Sequence, residues 1–148
     1  MLEARVYLLH RPPPPWHAAP ALQSSESTTP RRVLVADDNA YMRKALDAVL
    51  RAWEFEVVAV HDGAAVLAAL QEVRPDAVLL DIRLPKLDGL EVARRIRADP
   101  GSSAVLLIAM TGSSDPRDRA ASLAAGFDHH LVKPVNPEKL RDLLAPRS

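Results

Sequence analysis

Five short apolar runs punctuate the chain, and between them apolar residues recur every three or four positions. The runs are Val33–Ala36, Phe55–Val60, Ala77–Leu80, Ala104–Met110 and Asp128–Lys133, the last built around Leu131 and Val132. Such short runs, without strict apolar–polar alternation, predict strands of a parallel sheet buried on both faces. The intervening stretches predict helices. Asn39 is placed to cap the first, whose inward face is Met42, Leu46, Val49, Leu50 and Trp53. Asp62 caps a second, with Val66, Leu67, Leu70 and Val73 turned inward, and Pro75 stops it. Ile82–Gly89 reads as a loop, marked by Pro85 and the turn pair Asp88-Gly89. Leu90, Ala93, Ile96 and Arg97 continue as a third helix that Asp99-Pro100-Gly101 ends. An alanine-rich helix over Asp115–Ala125 closes at Gly126, and Asn136 caps a last helix through Leu144. Five strand and helix alternations predict an α/β fold, doubly wound, with right-handed crossovers.

Residues 1–30 break this pattern. They hold Pro12–Pro15, Pro20 and Pro30 and the run Ser24-Ser25-Glu26-Ser27-Thr28-Thr29, which supports polyproline II and solvated linker rather than a core. The segment reads as a disordered Pro/Ser-rich tail, with one folded domain over residues 31–148. The 148 residues leave no room for a second domain of ordinary size. Nineteen basic residues balance nineteen acidic ones, so the chain lacks the electrostatic footprint of a nucleic-acid binder. With no cysteine, disulfides and thiolate metal sites are excluded. Val6–Leu9 is too short for a secretory core, and no apolar run approaches the ~18 residues of a membrane span. A soluble, cytoplasmic protein without membrane partners is expected.

The chemistry gathers at the ends of four strands. Asp37 and Asp38 follow the first, Asp81 the third, Thr111 the fourth, and Lys133 ends the fifth. In open α/β sheets the carboxyl ends of the strands hold the site. Two carboxylates stand where a nucleotide fold would carry glycines, so an anion reaches this edge only with a cation between. A few hard oxygen donors suit Mg²⁺, which also bridges to phosphate oxygens. Asp81 is then the natural nucleophile toward a phosphoryl donor, giving an acyl phosphate. Thr111 can hydrogen-bond a phosphoryl oxygen, Gly112 leaves room for a donor, and Lys133 brings a point charge on a flexible stem.

These residues closely resemble the receiver domain of bacterial response regulators, the phosphoaccepting half of two-component signalling. The resemblance covers Arg31 to about Pro146. It rests on Asp37-Asp38, the segment Asp81-Ile82-Arg83-Leu84-Pro85-Lys86-Leu87-Asp88-Gly89, Thr111-Gly112 and Lys133-Pro134, and on the spacing of Thr111 and Lys133 from Asp81. It implies a flavodoxin-like, five-stranded parallel sheet in the order 2-1-3-4-5. It further implies phosphoryl transfer onto Asp81 from a phosphohistidine on a sensor histidine kinase or phosphotransfer protein. Asp38, Asp81 and the backbone carbonyl of Arg83 would ligate Mg²⁺ directly, and Asp37 mainly through water. Thr111 and Lys133 would hold the phosphoryl oxygens and couple them to the face formed by helix four, strand five and helix five. A cis Lys133-Pro134 peptide is expected from the family.

Two positions depart from the commonest pattern. His130, three residues before the lysine, stands where many receivers carry Tyr or Phe as a rotameric switch. With Thr111 it is the candidate switch, and His130→Ala is expected to alter partner binding while sparing phosphorylation. Arg83, two residues after Asp81, would lie over the site, so Arg83→Ala is expected to change the lifetime of the acyl phosphate.

The resulting function is a phosphorylation-controlled module rather than an enzyme, signalling to a downstream protein target. Only fourteen residues follow Pro134, from which no output domain is expected; phosphorylation-dependent dimerisation is left open. A scaffold receiver independent of phosphorylation is the alternative. A phosphohydrolase of the haloacid dehalogenase type is disfavoured because Arg83 occupies the place of its second acid. A flavodoxin-like cofactor binder is disfavoured by acids where a phosphate cradle needs Ser, Thr or Gly.

Overall fold

The computed structural model describes residues 32–145. The tail read over residues 1–30 lies outside them. Ten elements alternate without exception: β1 (Arg32–Ala36), α1 (Ala40–Ala52), β2 (Glu56–Val60), α2 (Gly63–Val73), β3 (Ala77–Asp81), α3 (Gly89–Ala98), β4 (Leu106–Thr111), α4 (Pro116–Ala125), β5 (His129–Val132) and α5 (Pro137–Leu144). All strand pairs are parallel, in the order β2-β1-β3-β4-β5. The expected order 2-1-3-4-5 is therefore the observed one.

Alternation along each strand splits the apolar residues between two cores. Val33, Val35, Leu79, Ile108 and Met110 pack with Leu46 and Leu50 of α1 and Leu140 and Leu144 of α5. Leu34, Ala36, Leu80, Leu107 and Ala109 pack with α2, α3 and the end of α4 through Val66, Leu70, Val92, Ile96 and Ala125. Burial on both faces explains the uninterrupted apolar runs of β1, β3 and β4. On the first face Arg141 of α5 lies 5.4 Å over the Trp53 ring at the end of α1, tying the two helices together. No helix among the described residues is long and apolar enough to cross a membrane.

The predicted caps form. Asn39 accepts from the N–H groups of Tyr41 and Met42, Asp62 from Ala65, and Asn136 from Glu138 and Lys139. Asp115 caps α4 rather than opening it, and Gly126 ends that helix at φ 115°. Three strands start later than the sequence reading places them. Phe55 stays out of β2 because its N–H returns to the carbonyl of Leu50 at 3.1 Å, closing α1 with Glu54 at φ 69°. Ala104 and Val105 precede β4 because Val105 N–H bonds Ser102 in a turn. Asp128 precedes β5, and its carboxylate accepts the N–H of Leu107 at 2.9 Å. At the other ends, Asp81 and Thr111 are the final residues of β3 and β4, and Lys133 comes just after β5.

Candidate functional site

The adjacency of β1 and β3 brings the two acidic loops together at the carboxyl edge of the sheet. Carboxylate oxygens of Asp37, Asp38 and Asp81 lie within 4.8 Å of one another. Asp37 is fully buried, Asp81 is 6% exposed and Asp38 faces solvent. Lys133 reaches across from the end of β5, its Nζ donating to Asp37 Oδ2 at 2.8 Å and to Asp81 Oδ2 at 2.9 Å. The remaining oxygens are also held: Asp37 Oδ1 accepts from Asn39 N–H at 2.9 Å, and Asp81 Oδ1 from Arg83 N–H at 3.0 Å.

Burial pushes the Asp81 carboxyl above its ordinary value, against the opposing pull of Lys133 and the Arg83 N–H. For Lys133, burial acts against the charge, but the hydrogen bonds it donates to Asp37 and Asp81, together with their negative charges, outweigh it and the ammonium is held above its ordinary value. Lys133 is thus a fixed cation among three acids. Such a cluster of hard oxygens, two of them on buried or nearly buried carboxylates, fits a small divalent cation that retains water. Asp37, Asp38 and Asp81 are the side chains positioned to hold it.

Thr111 is 6% exposed, and its Oγ1 accepts from Ser113 N–H at 3.1 Å, which shapes the turn after β4. The carbonyl of Thr111 accepts from Lys133 N–H at 2.7 Å, so the hydroxyl and the ammonium share one hydrogen-bonded anchor. The Lys133-Pro134 peptide is cis, as the resemblance implied. Arg83 is exposed, joined to Asp81 through its backbone. The fold thus gathers Asp37, Asp38, Asp81, Thr111, Lys133 and the backbone of Arg83 at one edge.

His130 is placed elsewhere. Register sets it beside Ala109, on the sheet face that α4 covers, and its Nδ1 lies 3.2 Å from Ser122 Oγ. Sequence reasoning missed two residues near these groups. Arg43 on α1 donates from Nη1 to the carbonyl of Asp37 at 2.8 Å and fastens the acidic loop. Ser122, fully buried on α4, is the other. Neither carries a motif signal; each is an ordinary polar residue on a helix until the fold supplies its neighbour.

The loop after Asp81 is close-packed. A Cβ at Gly89 would stand 2.6 Å from the carbonyl oxygen of Asp81 and 2.7 Å from Ile82 Cα, so only glycine lets α3 start so near the site. Across from it, Gly63 N–H donates to Pro85 and Lys86 reaches Asp62 Oδ2 at 3.5 Å, joining the start of α2 to this loop.

A family model, the response regulator receiver domain, matches residues 33–145. The chain is 41% identical over 113 residues to the DNA-binding response regulator MtrA of Mycobacterium tuberculosis (strain ATCC 25618 / H37Rv), a match covering 76% of this chain and 48% of MtrA. It therefore spans about half the length of the curated relatives it matches. The receiver domain of sensor histidine kinase PA1611 from Pseudomonas aeruginosa PAO1, solved with a magnesium ion in its active site cleft, is similar at 34% identity and TM-score 0.72, covering 77% of this chain and 93% of that one. Chemotaxis response regulator CheY4 of Vibrio cholerae is similar at 28% identity and TM-score 0.72, covering 76% and 98% of the two chains.

Proposed function

The chain belongs to the response regulator receiver domain family, and from that premise we propose that Asp81 is the phosphoacceptor of a two-component relay. The observation that carries this reading is the Lys133 ammonium bonded to Asp37 and Asp81 at once, at the same edge as Thr111. A carboxylate oxygen of Asp81 attacks the phosphorus of a phosphohistidine on a sensor histidine kinase or phosphotransfer protein. The new O–P bond forms as the P–N bond breaks; the electron pair stays on the imidazole nitrogen, which takes up a proton from solvent water. With water as the proton source, atoms and charge balance.

The acidic side chains Asp37, Asp38 and Asp81, with the carbonyl of Arg83, are the groups proposed to hold Mg²⁺. When bound, that ion offsets the charge of the acids and of the incoming phosphoryl oxygens. Lys133 stabilises negative charge on the transferred group, in a setting too buried for water to screen fully. The Thr111 hydroxyl donates to a second phosphoryl oxygen. The signal then passes to α4, β5 and α5, where Leu123 and Val132 are 51% and 41% exposed and offer apolar contact to a protein target. His130 lies on this path.

The test uses labelled acetyl phosphate with Mg²⁺. Label stable to acid but labile to alkali is expected on the intact protein and absent from Asp81→Asn. Label that persists in the variant contradicts the assignment.

A further inference from the structure

The proposed readout residue is held by a partner that the receiver reading does not supply. Ser122 Oγ has two polar neighbours: the carbonyl oxygen of Asp118, one turn back on α4, at 3.0 Å, and Nδ1 of His130 on β5 at 3.2 Å. A hydroxyl has one proton to give, and the Asp118 carbonyl can only accept. Were that proton directed at the ring, two oxygens would face each other lone pair to lone pair at hydrogen-bond distance. The consistent arrangement sends the Ser122 proton to Asp118 and makes His130 Nδ1 the donor to Ser122 Oγ. His130 then carries its hydrogen on Nδ1, leaving Nε2 as a bare acceptor. That Nε2 is buried and is the one buried side-chain nitrogen or oxygen among the described residues without a hydrogen-bond partner.

We propose that Ser122 is a positioning residue that latches His130 against α4 as the Nδ1–H tautomer, so that the readout face can rearrange only when this bond between α4 and β5 is broken. The geometry supports the coupling. Ala36, Leu80, Ala109 and His130 form one row across the sheet, and Thr111 lies two residues beyond Ala109 on the same face. A displacement of Thr111 toward a phosphoryl group therefore acts on the strand flanking the ring. Nε2 has no protein partner in this arrangement, so the ring is tied to α4 through Nδ1 alone. Ser122 itself is fully buried and replaces nothing in the acidic cluster.

The coupling half of this inference rests on the phosphoacceptor reading; the latch half does not. Long-range nitrogen–proton NMR on labelled protein, in alkaline buffer where imidazoles are neutral, reads the tautomer directly. In the unmodified protein His130 is expected to show a protonated Nδ1 and a bare Nε2. Ser122→Ala is expected to shift the ring to the Nε2–H form. With Mg²⁺ and beryllofluoride, the unmodified protein is expected to lose the Nδ1–H signature, and Asp81→Asn to keep it. A bare Nδ1 in the unmodified protein, or a spectrum unmoved by Ser122→Ala, overturns the latch. An adduct that shifts the amides around Asp81 but leaves the His130 signals unchanged overturns the coupling alone. If no adduct forms anywhere, the phosphoacceptor reading fails and the coupling falls with it, while the Ser122→Ala comparison still decides the latch.

Discussion

Lys133 concentrates the residue-scale physics of this site. It is the cation between two acids that are buried or nearly so, and its own side chain is 24% exposed. Removing one member of such a cluster leaves charge without a partner, which for fully buried pairs costs about 3–5 kcal/mol. Partial exposure reduces that, and Lys133→Met is expected to lose on the order of 2 kcal/mol in chelator, as measured by urea unfolding. Mg²⁺ is expected to restore more stability to the variant than to the unmodified protein, because the oxygens released by the ammonium become available to the ion. Equal Mg²⁺ stabilisation of both would count against competition for one set of oxygens. Asp62 behaves differently. Its carboxylate accepts the Ala65 N–H, which, with help from Lys86 and His61 and against the effect of burial, holds its pKa below the ordinary 3.8. A depressed carboxylate stabilises the fold above its unfolded pKa and loses that contribution as pH falls through the folded value. The stability difference between the unmodified protein and Asp62→Asn is therefore expected to be constant near neutral pH and to shrink below about pH 3.8. A difference that persists into stronger acid would show that Asp62 acts by shape alone.

At the scale of elements, the loop from Ile82 to Asp88 is positioned by what flanks it. Gly89 → Ala would drive a methyl group into the backbone of Asp81 and Ile82. Overpacking of this kind costs roughly 1–3 kcal/mol. Thermal unfolding is expected to show that loss, and because the displaced backbone is that of Asp81 itself, Mg²⁺ binding is expected to weaken with it. A variant as stable as the parent, binding Mg²⁺ equally well, would contradict this packing. The elements themselves were largely readable from sequence because parallel strands covered on both faces must be apolar throughout, and helices covered on one side must repeat every three or four residues. The misplacements are local. Phe55, Val105 and Asp128 have the composition or position of strand residues, but the first two commit their N–H groups to turns and the third commits its carboxylate to Leu107. Backbone hydrogen bonds of that kind leave no periodic trace. The strand-end chemistry was legible for a related reason: Asp37, Asp38, Asp81, Thr111 and Lys133 each interrupt an apolar run. Arg43 and Ser122 interrupt nothing, and only the packing of α1 on the Asp37 loop and of α4 on β5 gives them partners.

On the scale of the whole molecule, the order β2-β1-β3-β4-β5 does the assembling. It sets β1 beside β3, which joins the acids, and β4 beside β5, which joins Thr111 to Lys133 through a backbone bond of 2.7 Å. The same sheet then divides its outputs. Leu131 of β5 packs with α5 and α1, whereas its neighbour His130 faces the side covered by α4. Asp81 bonds Lys133, whose N–H bonds the Thr111 carbonyl, so β3, β4 and β5 are joined at this edge by direct contacts. The proposed protein target of the α4–β5–α5 face is tested by binding, with the receiver in its modified and unmodified forms. Everything in this scheme depends on where the phosphoryl group goes. The most direct measurement is to phosphorylate the protein with acetyl phosphate and Mg²⁺, reduce the acyl phosphate with borohydride, and locate the product by peptide mass. The account predicts conversion of Asp81 to homoserine, dependent on Mg²⁺ and on phosphorylation; conversion at Asp37, Asp38 or another acid, or none at all, would contradict it.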